Sequence, residues 1–219
     1  MITQIYQVSS ANEALLLSEV GVDLIGLVVN LNTNIPGLLN IDEAVSVIAG
    51  VKGNSKSVIL PFTSNLQEIG SIIQLVNPDI IHIASDPQDI SPQDLVTLKN
   101  QFRNMKFMRT IPVIDDSSIQ MAKQYDRVAD YLLLDTKVKN QTGVTGITHD
   151  WKISKKIVEE VSTPVILAGG LGADNVQQAI SVVNPYGVDS KTKTDVLGTN
   201  QKDIEKVKQF VRLTKSGKN

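Results

Sequence analysis

Short apolar runs of strand length alternate along this chain with segments that carry apolar residues at helical spacing, and the pair recurs roughly every 27 residues. The runs are rich in branched side chains, as in Leu132-Leu133-Leu134 and Val165-Ile166-Leu167, and each stops at a small, polar or acidic residue. A run that is apolar at every position must be covered on both faces, which parallel strands joined by helical crossovers achieve. The spacing predicts strands at 2–6, 22–30, 57–60, 79–84, 106–111, 131–134, 165–167 and 187–189. It predicts helices at 10–20, 41–49, 66–76, 92–103, 117–125, 150–161, 174–183 and 202–213.

Eight such units close a (β/α)8 barrel. The competing architecture is an open doubly wound sheet, which usually has fewer units and a Gly-x-Gly-x-x-Gly turn after its first strand. Here that turn reads Gln7-Val8-Ser9-Ser10, so the barrel is the expectation. No linker or low-complexity stretch divides the 219 residues, and the expected domain covers 1–213, with a polar tail at 214–219 that should fray.

Composition removes several kinds of chemistry. With no cysteine, the chain has no disulfide, no thiolate ligand and no thiol nucleophile. Its two histidines, His82 and His149, stand far apart and no carboxylates cluster at ligand spacing, which argues against a metal site. A net charge of -2 and a pI near 5.7 offer no positive field for nucleic acid or an acidic membrane. The N-terminus lacks a signal pattern and the apolar runs are too short to span a bilayer, so a cytoplasmic protein is expected.

In a barrel the chemistry collects where strands end. Gly169 and Gly170, between a strand and a helix, can present bare backbone N–H groups to an anion. After strand eight, Lys191, Thr192 and Lys193 add hydroxyl and ammonium groups, and these two loops are the usual phosphate seat of phosphate-binding barrels. The plainer reading is a tight turn beside solvated lysines. Asp135 ends an all-leucine run; at the barrel mouth, burial would raise its pKa toward proton donation near neutrality, or it would brace the loop at 142–146. His82 shares strand parity with Ile80 and Ala84, which would point it into the barrel as a base or as a hydrogen-bonded interior residue. Arg109 would face either a substrate anion or Asp135. Trp151 should pack helix six against the barrel, and His149 belongs to the preceding loop.

Several of these motifs occur in one order: Leu133-Leu-Asp135-Thr136, Gly143-Val-Thr-Gly146, Asp150-Trp151, Leu167-Ala-Gly-Gly-Leu171, Gly187-Val-Asp189 and Lys202-Asp203. Together they resemble the phosphoribosylanthranilate isomerase family, the tryptophan-pathway barrels of the ribulose-phosphate-binding type. The resemblance implies a cofactor-free opening and tautomerisation of an N-substituted ribosylamine 5-phosphate to a 1-amino-1-deoxyribulose 5-phosphate. It implies that Asp135 is the acid that protonates the ring oxygen, and that Gly169, Gly170 and the turn at Lys191 to Lys193 hold the phosphate. It also implies substrate contact at Gly146 and a phosphorylated pentose as partner, in a monomer or homodimer.

The chain departs from that pattern at its first strand. The family's Lys-x-Cys-Gly, whose cysteine is the base, reads Gln4-Ile5-Tyr6-Gln7 here. A phenolate at neutral pH costs about 4 kcal/mol from its ordinary pKa, so Tyr6 is a poor base unless a cation helps. The arginine expected after strand two is replaced around Ile35-Pro36-Gly37, and the Ser-Ser-Gly turn after strand eight becomes Lys191-Thr192-Lys193. Three readings follow: an isomerase of weakened or altered activity using Asp135 with Tyr6 or His82 in place of the thiol; a diverged barrel that acts on or binds another sugar phosphate; and a barrel without a ligand.

Overall fold

A computed structural model describes residues 1–31, 37–136 and 150–216. The strands are β1 (Ile2–Ile5), β2 (Leu24–Val29), β3 (Lys56–Pro61), β4 (Ile80–Ile83), β5 (Lys106–Val113), β6 (Tyr131–Thr136), β7 (Val165–Leu167) and β8 (Gly187–Ser190). Each pairs in parallel with its sequence neighbours, and β8 pairs with β1, which closes an eight-stranded barrel. The helices α1 (Ala11–Val20), α2 (Ile41–Gly50), α3 (Leu66–Val76), α4 (Pro92–Gln101), α5 (Ser117–Tyr125), α6 (Trp151–Glu160), α7 (Val176–Val183) and α8 (Ile204–Ser216) follow the strands in turn. The open-sheet alternative is thereby removed.

Local chemistry sets the helix starts. Asn40 and Glu43 form a reciprocal capping box on α2, and Ser91 and Asp94 form one on α4 with Pro92 at the first turn. Asp150 accepts the Lys152 N–H at 2.9 Å and caps α6. Asn77 and Asn184 end α3 and α7 in the left-handed region, where a short polar side chain is tolerated.

The two faces of the strands feed two apolar clusters. Leu24, Val58, Ile80, Met108, Leu133 and Ile166 fill the barrel interior, while alternate residues such as Ile25, Ile59, Ile81, Phe107 and Leu132 pack outward against the helices. At the N-terminal end three aspartates recur in equivalent places. Asp23, Asp79 and Asp130 stand just before β2, β4 and β6 and accept the backbone N–H of Thr3, Ser57 and Phe107 on the preceding strands, at 2.8, 2.9 and 2.8 Å. That end is thus closed by structural hydrogen bonds, and the opposite end is left for function.

Most ends of elements differ from the sequence expectation by one to three residues, and three of the differences have a clear physical reason. β5 and β6 extend to Val113 and Thr136, because each pairs with the other across its last residues. A 3-10 turn at Thr192–Thr194 follows β8, which periodicity cannot reveal in three residues. α8 runs on through Ser216, with Thr214 buried and its hydroxyl donating to the Phe210 carbonyl at 2.9 Å. Residues 214–216 are therefore helix rather than tail. Trp151 packs against the outer core as expected. Among the described residues no helix is long and apolar enough to cross a membrane.

Candidate active site

At the C-terminal end of the barrel a cavity of about 780 Å³ opens among the strand ends. Its floor carries Tyr6, His82 and Thr110, which form a hydrogen-bonded chain. The Tyr6 hydroxyl lies 2.6 Å from His82 Nδ1, and His82 Nε2 lies 2.6 Å from the Thr110 hydroxyl. The phenol ring fits only because β2 has a glycine beside it, since a Cβ on Gly26 would lie 2.8 Å from the ring. One side of the mouth is apolar, with Val28, Leu60 and the half-exposed Phe62.

The other side is built for an anion. Gly169 and Gly170 have φ of 87° and 64°, a left-handed pair that turns successive N–H groups the same way and that L side chains rarely adopt. Their N–H groups have no acceptor among the described residues. Asn175 holds the turn by donating to the Gly170 carbonyl at 3.0 Å and accepting the Gly172 N–H at 2.9 Å, and Ser190 ties β8 to it through the Leu171 carbonyl at 2.6 Å. Lys191 and Thr192 line the same cavity. The Lys191 ammonium lies 2.8 Å from the Asn200 carbonyl oxygen and 3.2 Å from Asp195. Behind it the fully buried Lys202 ammonium pairs with Asp195, and the Lys202 N–H donates to Glu13 at 2.6 Å, which anchors the turn to α1.

Four aspartates line the cavity; Asp86 and Asp89 belong to the segment after β4, whereas Asp135 and Asp189 stand at the ends of β6 and β8, the strands on either side of β7 and its glycine turn. Burial raises the pKa of Asp135, opposed by the Thr136 N–H, which donates to it at 2.8 Å. Burial pushes Asp189 up to about 8, helped by the charge of Asp135. The Gln4 amide opposes this in part from outside ordinary hydrogen-bond geometry, as does the more distant Lys202 ammonium. Burial, with Asp189 adding to it, raises Tyr6 well above the usual phenol value, while burial and the Arg109 charge pull His82 down to about 3. At neutral pH the phenol therefore keeps its proton and the imidazole is a feeble base. Both shifts weigh against the base role expected for Tyr6 or His82.

The Asp189 shift has a measurable consequence for stability. The folded chain holds this proton up to about pH 8, whereas an ordinary aspartate releases it near 3.8. The native state then binds more protons than the unfolded state between those values, so Asp189 makes stability fall as pH rises through that window. Asp189→Asn should flatten the decline; urea unfolding at several pH values between 5 and 8 checks this, and an unaltered slope would contradict it.

Two expected contacts are corrected. Arg109 belongs to the outward parity of β5 and is fully buried behind the strand, where Nη1 donates to the carbonyls of Ile83 and Ser85 at 2.9 and 2.8 Å. Its guanidinium lies 5.0 Å from the Tyr125 ring centroid, so it neither faces a substrate nor meets Asp135. Lys193 lies over Gly172 with its ammonium on Asp174, outside the cavity, because the 3-10 turn rotates it away from Lys191. Gly146 and His149 lie outside the described residues. The sequence reading missed Thr110, Gln4 and the buried Lys202. Strand parity would have found the first, two places beyond Met108, whereas nothing local marks Lys202 as a core cation. Among the described residues no group of three or more histidine, aspartate or glutamate side chains is arranged to hold a metal ion.

Comparison with known proteins agrees with this architecture. The family model for N-(5'-phosphoribosyl)anthranilate (PRA) isomerase matches residues 44–213. N-(5'-phosphoribosyl)anthranilate isomerase 2 of Methanosarcina mazei is 33% identical over 211 residues, covering 95% of this chain and 92% of that protein. The Methanocella arvoryzae isomerase is also 33% identical over 211 residues, covering 94% and 96%. The Pyrococcus furiosus isomerase structure superposes with a TM-score of 0.79 at 26% identity over 98% of both chains. A phosphoribosylanthranilate isomerase structure in complex with reduced 1-(o-carboxyphenylamino)-1-deoxyribulose 5-phosphate, at 20% identity and a TM-score of 0.78 over 98% of this chain and 99% of that one, bears on the fold alone. Across nearly its whole length, then, this barrel belongs to the N-(5'-phosphoribosyl)anthranilate isomerase family.

Proposed function

We propose that this chain isomerises an N-substituted ribosylamine 5-phosphate to the corresponding 1-amino-1-deoxyribulose 5-phosphate. The observation that carries the reading is the arrangement of one cavity, in which the desolvated Asp135 carboxyl shares the mouth with the paired N–H groups of Gly169 and Gly170. The phosphate sits on those amides, with Thr192 and the Lys191 ammonium beside it, as anions do in concavities of successive backbone N–H groups. Asp135 protonates the ring oxygen, which its raised pKa suits. The nitrogen substituent lies toward Val28, Leu60 and Phe62. Protons alone move, so the reaction needs no cofactor. The names of the relatives, which are isomerases of the anthranilate compound, support the same chemistry.

The test is turnover of the ribosylamine formed from ribose 5-phosphate and anthranilate, followed as loss of substrate fluorescence. Conversion above the uncatalysed rate is expected, and none from folded protein would remove the reading. A second reading, a barrel that only binds or acts on another sugar phosphate, is favoured by Tyr6, whose ring occupies the floor position the resemblance gives to a thiol. Thermal unfolding with inorganic phosphate, ribulose 5-phosphate or anthranilate separates the two, since a true ligand stabilises by mass action. Stabilisation by the first two compounds without turnover would favour the second reading.

A further inference from the structure

The cavity contains a carboxyl that the reading above does not use. Asp189 lies on β8, only 8% exposed, and its Oδ1 has no hydrogen-bond partner among the described residues. Its register partner on β1 is Gln4, fully buried, and both polar atoms of that amide also lack partners. A buried polar atom left unpaired costs about 1–3 kcal/mol, and such atoms call for an explanation such as a catalytic role.

The charges around Asp189 leave it capable of taking a proton. Gln4 pairs with it from β1, Tyr6 stands just beyond that strand and Asp135 ends β6; His82 on β4 and Asp86 and Asp89 after it line the same cavity, Lys202 lies before α8, and Lys191 on the rim is engaged by Asn200 and Asp195. Lys202 is itself held by Asp195. In the resembled pattern a lysine stands at position 4. An ammonium there would pair with Asp189 and hold it as a spectator carboxylate, whereas glutamine brings no charge. Two carboxyls in one desolvated cavity repel each other when both are ionised, so Asp135 and Asp189 titrate as a pair that shares a proton near neutrality.

We propose that Asp189 removes the C2 proton, so that the isomerisation runs on a pair of carboxyls. This rests on the isomerase reading of the same site. The single proton of the pair rests mainly on Asp189 near neutrality, and the reactive form is the one in which it has passed to Asp135, leaving Asp189 ionised. Asp135 then protonates the ring oxygen as the C1–O bond breaks, its electron pair going to oxygen, and the nitrogen lone pair forms a C1=N iminium. Asp189 then takes the C2 proton. The C–H electrons form C1=C2, and the iminium π pair returns to nitrogen, giving the enaminol that tautomerises to the ketone. The pair ends with one proton, now on Asp189, and passing it back to Asp135 through solvent resets the site.

Two variants, Asp189→Asn and Gln4→Lys, test this with ribosylamines made from ribose 5-phosphate and either anthranilate or aniline. Asp189→Asn should lower kcat by about 100-fold or more, with KM changed by less than about threefold, and should abolish release of deuterium from C2 into solvent. Gln4→Lys should lower kcat and move the alkaline edge of the pH profile to lower pH. Thermal unfolding and binding of inorganic phosphate report on the fold of each variant. The proposal is overturned if Asp189→Asn still releases C2 deuterium at near the original rate, or if the Gln4→Lys profile does not move. Lack of turnover of both substrates by the unsubstituted chain would remove the isomerase reading and this proposal together. An active parent with an equally active Asp189→Asn variant would remove this proposal alone.

Discussion

Asp135→Asn should lower kcat for the ribosylamine substrate by about 10²- to 10⁴-fold, the usual contribution of a positioned acid, while KM stays within a few-fold. The amide keeps the shape of the carboxyl and can still accept the Thr136 N–H that meets Asp135 at 2.8 Å, so the phosphate seat should be undisturbed. Because burial raises the Asp135 pKa, exchange for a neutral amide removes a desolvation cost and should not weaken the fold. Steady-state kinetics beside a phosphate-binding isotherm check both statements. A kcat within about threefold of the parent would show that Asp135 is not the acid.

Lys202→Met should destabilise the chain by roughly 3 kcal/mol, the lower end of the cost of breaking a buried ion pair, since Lys191 remains as a partial partner for Asp195. For a domain of this size that amounts to a fall in Tm on the order of 10 °C. Methionine fills much of the space of the lysine stem, so the loss comes from leaving the Asp195 carboxylate, only 4% exposed, short of one ammonium. Drawn toward Asp195, Lys191 would retreat from the cavity, and phosphate affinity should fall as well. Adding Asp195→Asn should restore part of the stability, because it removes the charge left uncompensated. Thermal unfolding of the two single variants and the double variant measures the coupling; additive losses would contradict it.

Which end of the barrel carries chemistry was legible from strand ends, and so was the inward parity of His82 with Ile80. Arg109 shows where that legibility stops. An arginine near the polar end of strand five suggests a contact at the mouth, but Arg109 alternates with the inward Met108 and Thr110, so its side chain points outward onto Tyr125. Lys193 fails for a different reason. Three residues of 3-10 turn leave no periodic signal, yet they decide that Lys191 lines the cavity while its neighbour two places on meets Asp174.

By itself the sequence determined the closed eight-fold barrel and a bare glycine turn after its seventh strand, free to take a left-handed backbone. Each follows from local rules: branched runs that need cover on both faces, helical spacing between them, and a φ that only glycine accepts readily. Folding decided the acid–base character of the site. Whether Asp135, Asp189, Tyr6 and His82 hold or release protons near neutrality depends on how completely water is excluded and on which charges lie across the floor. Those are properties of side chains brought together from β1, β4, β6 and β8, and no stretch of chain carries them alone.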